Sequence, residues 1–106
     1  MTQKNLTEKA NAHEIICANL NKIYVQKNSD YDDSFSKSFK EYGMAMPCIR
    51  LEDKLNRIKS LTVKNKTQRV NDESVEDTLL DLANYAIMTI IELKLNKEET
   101  NNVKAE

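Results

Sequence analysis

The segment 71–88 constrains the fold most, because it places acidic side chains in what should be the apolar interior of a small helical protein. At 100° per residue, a helix over this segment has an apolar side and a second side that carries acids. The apolar side holds Val75, Leu79, Leu82, Ala83, Ala86, Ile90 and Leu93, and the other side holds Glu73, Asp77, Asp81 and Asn84. Further apolar residues flank the acidic side, so we expect Asp81, Asn84 and Tyr85 to be at least partly buried. A buried carboxylate needs a cation, a metal ion or hydrogen bonds, which makes this segment a candidate site.

The composition favours an all-α fold. The chain has 106 residues, with one Gly, one Pro and no Trp, and it is rich in residues with high helix propensity. We predict a small helical bundle of three to four helices that forms a single domain over 1–95. The segment 96–106 is polar and is expected to be a disordered tail. Since the helix that begins near residue 71 is apolar around most of its circumference, we also predict a homo-oligomer assembled through it.

Charge and cysteine content limit the classes of partner. The chain carries 16 basic and 17 acidic residues, so no global field would draw it to duplex nucleic acid or to an anionic membrane. Cys17 and Cys48 lie far apart without a CxxC motif, which predicts reduced thiols instead of a zinc site or a disulfide. No stretch approaches the roughly 20 apolar residues that span a bilayer, and the N-terminal residues are polar. We therefore expect a cytoplasmic protein.

The first half of the chain is predicted to hold one long and one short helix. Apolar spacing predicts the long helix over 7–27. The polar stretch 27–35 is dense in residues that favour turns and helix caps, so it is expected to be a loop or a broken helix end. A short helix is expected over 36–41, with Gly43 as its left-handed C-terminal cap.

A second long helix is expected over 47–61. Pro47 fits its first turn, where a missing amide costs no hydrogen bond. Its core stripe is predicted as Leu51, Leu55 and Ile58, and its adjoining face as Arg50, Asp53 and Arg57 with Lys54 at the border. The basic segment 62–69 is then expected to connect to the last helix, for which Asn71, Asp72 or Ser74 can act as the cap.

Two interpretations of the acidic residues stay open. Asp77 and Asp81 lie one helical turn apart and could share Mg²⁺, which prefers oxygen ligands. Alternatively, Arg50, Lys54 and Arg57 could neutralise these carboxylates across a helix interface and form a structural network without a ligand.

The basic and aromatic residues also have two interpretations each. Arg50 and Arg57 could form surface ion pairs with Asp53, or they could grip phosphate oxygens bidentately. The aromatic residues could stack on a nucleotide base, or they could serve as core or rim aromatics; they are Tyr31, Phe35 and Tyr85.

Four motifs of the chain occur in a set order. They are Lys27-Asn-Ser-Asp-Tyr-Asp-Asp-Ser-Phe35, Glu41-Tyr-Gly43, Arg50-Leu-Glu-Asp-Lys-Leu-Asn-Arg57 and the stretch 71–85. Together they resemble the nucleotide modification associated domain 1 family, small helical proteins of bacteria and their phages, over about residues 27–93. The resemblance implies a link to nucleotides. In the first motif the family pattern has Asp-Tyr-Gly, and Asp32 stands here in place of that glycine.

The chain is also more distantly similar to the all-α MazG-like nucleoside triphosphate pyrophosphohydrolases. Those enzymes hold Mg²⁺ with an ExxE pair on one helix and an ExxD pair on the next. Here the helix over 47–61 offers only the adjacent Glu52 and Asp53, which cannot share one face. Basic residues stand where further carboxylates would be needed.

We therefore predict a small nucleotide-binding helical protein, encoded by a phage or a bacterium, that modifies or sequesters nucleotides, including signalling nucleotides of host defence. If a phage encodes it, it acts in the host cytoplasm. The predicted ligand- and phosphate-binding residues are Lys27, Tyr31, Ser34, Arg50, Lys54, Arg57, Asn84 and Tyr85, and the candidate metal ligands are Asp77 and Asp81. The alternatives are a Mg²⁺-dependent MazG-like pyrophosphohydrolase and a structural or inhibitory protein-interaction module, so catalysis is left open. The expected partners are a nucleotide or nucleotide-derived ligand and further copies of the chain.

Overall fold

Helices account for almost all of the computed structural model. The structure describes residues 3–64 and 72–105, with side chains over 5–63 and 74–97. Its helices are α1 (Gln3–Asp30), α2 (Ser34–Tyr42), α3 (Ala45–Lys64) and α4 (Asp72–Ala105), and these two ranges contain no strand. The predicted all-α fold with three to four helices is confirmed, while the predicted oligomer stays a prediction.

Backbone contacts divide the chain into two units. Met1–Asp33 holds α1 and the turn that follows it, and Ser34–Glu106 holds α2, α3 and α4. The backbone of α4 is helical as far as Ala105. The predictions of a single domain over 1–95 and of a disordered tail over 96–106 stay predictions. No helix in the described part of the chain is both long and apolar enough to cross a membrane.

The polar stretch after residue 27 begins as helix and then closes in a turn. The Tyr31 amide donates to the Lys27 carbonyl at 3.0 Å, and the Asp33 amide donates to the Asn28 carbonyl at 3.2 Å. Asp32 and Asp33 have φ angles of 53° and 55°, in the left-handed region that Gly adopts freely and Asp tolerates better than most residues. Asp32 stands where the resembled family has glycine, and its φ angle is one that glycine adopts most easily.

The α2–α3 connection follows the prediction. Gly43 ends α2 with a φ of +66°, and its amide donates to the Phe39 carbonyl at 2.8 Å, which is the hydrogen bond of a left-handed C-terminal cap. Pro47 lies in the first turn of α3 and is fully buried. At its other end α3 continues to Lys64, so the predicted connection over 62–69 begins later than expected. Its remaining residues lie outside the described part of the chain.

A small aromatic core joins the three helices of the second unit. Phe35 and Phe39 of α2 and Met46 of α3 are buried, and Tyr85 and Met88 of α4 pack against them. Phe35 lies at the start of α2, and Phe39 and Met46 lie on either side of the α2–α3 connection, so the core extends along α2 and holds it against α3 and α4.

The side of α4 that was predicted to be apolar is only partly covered, with Val75, Leu82, Ala83 and Ala86 half-buried. Leu79, Ile90 and Leu93 are 49%, 53% and 46% exposed. The buried residues of α4 are instead polar, and they are Thr78, Asn84, Thr89 and Glu92. The predicted side is therefore buried only in part, because α4 is apolar on more than one side and the aromatic residues of α2 decide which side turns inward. Leu55 of the predicted α3 stripe is likewise exposed, whereas Leu51 and Ile58 are half-buried.

Replacing Phe39 with Ala should lower the free energy of unfolding by about 3–5 kcal/mol, because the side chain is almost fully buried and the change leaves a cavity. Urea denaturation followed by circular dichroism measures the difference. The control is Val63→Ala on α3, where the side chain is 69% exposed and the expected change is within about 0.5 kcal/mol. Equal effects of the two substitutions would contradict the described core.

Candidate functional site

Lys54 of α3 reaches α4 at a point where a carboxylate and an aromatic ring lie side by side. Its Nζ atom is 3.5 Å from Oδ2 of Asp81 and 5.9 Å from the centroid of the Tyr85 ring. The Lys54 and Asp81 side chains are 28% and 30% exposed, so the ion pair lies at the edge of the α3–α4 interface. A cation in this position gains from the carboxylate and from the negative face of the ring. The structure thus contains one of the predicted charge pairs between these helices.

Tyr85 also contacts α2. Its ring and the Phe35 ring have centroids 5.9 Å apart and planes inclined by 28°, in a stacked arrangement. Phe35 is buried, so this pair belongs to the core. Of the two roles that the sequence left open for these aromatics, the structure gives Phe35 and Tyr85 the packing role.

Arg50 and Arg57 flank Lys54 on α3. They lie four residues before it and three residues after it, which places all three cations along one edge of the helix. Both arginines are exposed, whereas Lys54 is half-buried. We call these three residues the basic edge of α3. Its exposed arginines are open to a ligand, and its central lysine is already oriented by the contacts with α4.

The two candidate metal ligands have different surroundings. Asp77 is exposed, whereas Asp81 lies beside the Lys54 ammonium, which would repel a divalent cation. The described side chains contain no group of three or more His, Cys, Asp or Glu that could hold a metal ion. This arrangement does not fit Mg²⁺ held between Asp77 and Asp81, and the magnesium site stays an untested prediction.

The other predicted site residues are spread over both units. Ser34 is exposed at the start of α2, and Asn84 is buried in α4 with 9% exposure. Lys27 and Tyr31 belong to the unit Met1–Asp33, where both side chains are exposed. The structure therefore brings Lys54, Asp81 and Tyr85 into contact, while the ligand-binding roles of the remaining residues stay predictions.

One hydrogen bond between α2 and α4 was not predicted from the sequence. The Ser36 hydroxyl donates to Oε1 of Glu92 at 2.9 Å, and Glu92 is only 7% exposed. Glu92 lies seven residues after Tyr85, which is about two helical turns and the same face of the helix. This spacing, within a run of apolar residues, was the signal that could have predicted it.

The remaining buried hydroxyls of α4 bond to their own helix. Thr78 donates to the Ser74 carbonyl and Thr89 donates to the Tyr85 carbonyl, each at 2.7 Å. Within the described part of the chain, no buried side-chain nitrogen or oxygen lacks a hydrogen-bond partner. The polar residues on the inward side of α4 are thus satisfied by the protein itself.

Comparison with known protein families assigns the chain to one of them. The model of the family described as nucleotide modification associated domain 1 matches residues 27–93, which is more than half of the sequence. The chain belongs to this family. The matched range contains α2, α3 and the part of α4 that forms the candidate site, and it confirms the resemblance found from the motifs. No curated protein and no solved structure matched the chain, and the similarity to MazG-like enzymes stays a hypothesis.

A double-mutant cycle should show that the Lys54–Asp81 pair contributes only weakly to stability. With Lys54→Met and Asp81→Asn, the coupling in the free energy of unfolding is expected to be roughly 1 kcal/mol or less, because the pair lies at a partly exposed edge. Urea denaturation of the two single variants and the double variant gives this value. Lys59→Met, on the far side of α3, should show no coupling to Asp81→Asn. A coupling of several kcal/mol would mean that the pair is a structural lock that a ligand could not open.

Proposed function

We propose that this protein binds a nucleotide or nucleotide-derived ligand, with a phosphate group against the basic edge of α3. One observation carries the proposal. Arg50 and Arg57 are exposed on either side of Lys54, whose ammonium group is held near the Tyr85 ring. Membership of a family associated with nucleotide modification supports a nucleotide as the ligand.

The residue types of the basic edge suit a phosphate. Each arginine presents a planar fork of N–H donors that matches two phosphate oxygens, while lysine supplies a compact charge. Lys54 already has a carboxylate partner, Asp81, at 3.5 Å. Since this partner is partly exposed to water, the proposal requires a phosphate only to compete with a weak ion pair.

The finer parts of the proposal rest mainly on the sequence. Ser34 offers an exposed hydroxyl for a hydrogen bond to the ligand, and Tyr85 with Asn84 supports the α4 side of the site. Lys27 and Tyr31 belong to the unit Met1–Asp33, and a cation and an aromatic ring for the ligand are their predicted roles from the sequence alone. We also propose that a phage or a bacterium encodes this protein, and that it acts in the cytoplasm on signalling nucleotides of host defence.

Binding is favoured over hydrolysis by the charges around the basic edge. A metal-dependent hydrolase needs several carboxylates to hold the metal ions that activate water. Here the carboxylate in contact with the basic edge, Asp81, is paired with Lys54. Sequestration of a nucleotide needs no such cluster, because cations and hydrogen-bonding groups are enough to hold the ligand.

Thermal unfolding with a nucleotide panel tests the proposal. The panel contains nucleoside mono-, di- and triphosphates and cyclic dinucleotides, each with and without Mg²⁺. A ligand at 100 times its Kd should stabilise the fold by about 2.7 kcal/mol, which raises the melting temperature. Mass spectrometry of the denatured protein would identify any ligand retained through purification. If no compound raises the melting temperature and none is retained, the protein-interaction alternative gains and the proposal falls.

Substitutions in the basic edge test where the ligand binds. Arg50→Ala and Arg57→Ala should each weaken binding by roughly tenfold or more, because each removes charge-assisted hydrogen bonds worth about 1.5–3 kcal/mol. Isothermal titration calorimetry with the best compound of the panel measures the change in Kd. The matched control is Lys59→Ala, which removes a cation from the far side of α3 and should leave Kd unchanged. A uniform loss in all three variants would indicate non-specific charge attraction.

The fate of the ligand separates sequestration from the pyrophosphohydrolase alternative. If the protein sequesters the nucleotide, the compound recovered after denaturation is chemically intact. Pyrophosphate release from a deoxynucleoside triphosphate in the presence of Mg²⁺, abolished by Asp81→Asn, would instead establish the enzyme and would contradict our interpretation of the Lys54–Asp81 pair.

A further inference from the structure

The side of α4 that faces away from α2 and α3 is apolar and exposed. Leu79, Ile87, Ile90 and Ile91 are 49%, 43%, 53% and 38% exposed. Leu80 and Ala83 lie among them and are half-buried. We call this set the exposed stripe, and its members are Leu79, Leu80, Ala83, Ile87, Ile90 and Ile91.

The position of the exposed stripe follows from the contacts of α4. Asp81, Tyr85 and Glu92 make the contacts with α3 and α2. At 100° per residue, Ala83 and Ile87 lie about 160° from Tyr85 on either side. The exposed stripe is thus on the opposite side of α4 from the basic edge, and a partner there would leave that edge accessible.

A charged residue of opposite sign stands at each end of the exposed stripe. Glu76 lies nine residues before Tyr85 and Lys94 lies nine residues after it, so both project about 180° from Tyr85 and share the midline of the stripe. Both side chains are exposed. The stripe therefore has an acidic end and a basic end.

This charge order is self-complementary when two copies of α4 run antiparallel. A two-fold axis near residue 85 sets Glu76 of one copy against Lys94 of the other, and this happens twice. The same axis sets Ala83 against Ile87, a small residue against a large one. A parallel arrangement would bring like charges together at both ends. Closed two-fold interfaces use one surface twice in this way.

We propose that the partner of the exposed stripe is a second copy of this chain, bound antiparallel through α4 and closed at each end by a Glu76–Lys94 pair. The proposal does not depend on the ligand of the basic edge. Burial of the Leu and Ile side chains supplies the attraction, and the end charges select the antiparallel direction over the parallel one.

The mass of the protein in solution gives the first test. Sedimentation equilibrium of the full chain should show a dimer. Ile90→Lys should weaken dimerisation at least tenfold while the helical circular dichroism signal is retained, because Ile90 is already half-exposed in the single chain. Val63→Lys, at another exposed apolar position, is the control and should leave the dimer unchanged. A monomer at all concentrations would overturn the proposal and would mean that another segment or a different protein covers the exposed stripe. A dimer that Ile90→Lys does not affect would overturn it as well.

Charge reversal tests the direction of the helices. Glu76→Lys and Lys94→Glu should each weaken the dimer several-fold, because each puts like charges at both ends. The double variant should restore the Kd of the unchanged protein, and an equimolar mixture of the two single variants should form a heterodimer of similar stability. Lys40→Glu on α2 is the control for a charge change elsewhere. Single reversals that strengthen the dimer or leave it unchanged would contradict the antiparallel arrangement.

Discussion

The stacked pair of Phe35 and Tyr85 fixes which side of α4 faces the rest of its unit. The buried aromatics of α2 form most of the hydrophobic core cluster of this unit, and packing against them brings Tyr85 inward. Residues that share a face with Tyr85 must follow it, whatever their polarity. Asp81 meets Lys54 and Glu92 meets Ser36 for this reason, while most of the Leu and Ile side chains of α4 turn outward.

Local features of the chain were predictable because their causes are local. The helix spacing, the cap at Gly43 and the place of Pro47 depend on residues that are near one another in sequence. The partial burial of Asp81, Asn84 and Tyr85 was also predictable, since apolar residues surround them. The inward side of α4 was not, because the helix has enough apolar residues for two sides and the choice depends on packing against α2.

In the candidate site, too, some contacts could be predicted from the sequence and others could not. Pairing between basic residues of α3 and an acid of α4 could be predicted from opposite charges at helical spacing. Which of the three cations pairs could not, because Lys54 is selected by its position over the Tyr85 ring. The Ser36–Glu92 bond depends on the angle at which α2 crosses α4, which sequence spacing alone does not define. Two arginines are consequently left exposed beside one lysine whose direction the packing has set.

The backbone angle of Gly43 has a consequence for variation within the family. A Cβ atom at this position would meet nothing within 4 Å, although φ is +66°. The requirement for glycine is therefore one of backbone conformation and not of space. Asn, which enters the left-handed region more easily than most residues, should be accepted there at small cost, whereas a β-branched residue should not. Variation at the α2–α3 turn is thus limited first by whether the backbone can turn to the left, and not by contact at the Cβ atom.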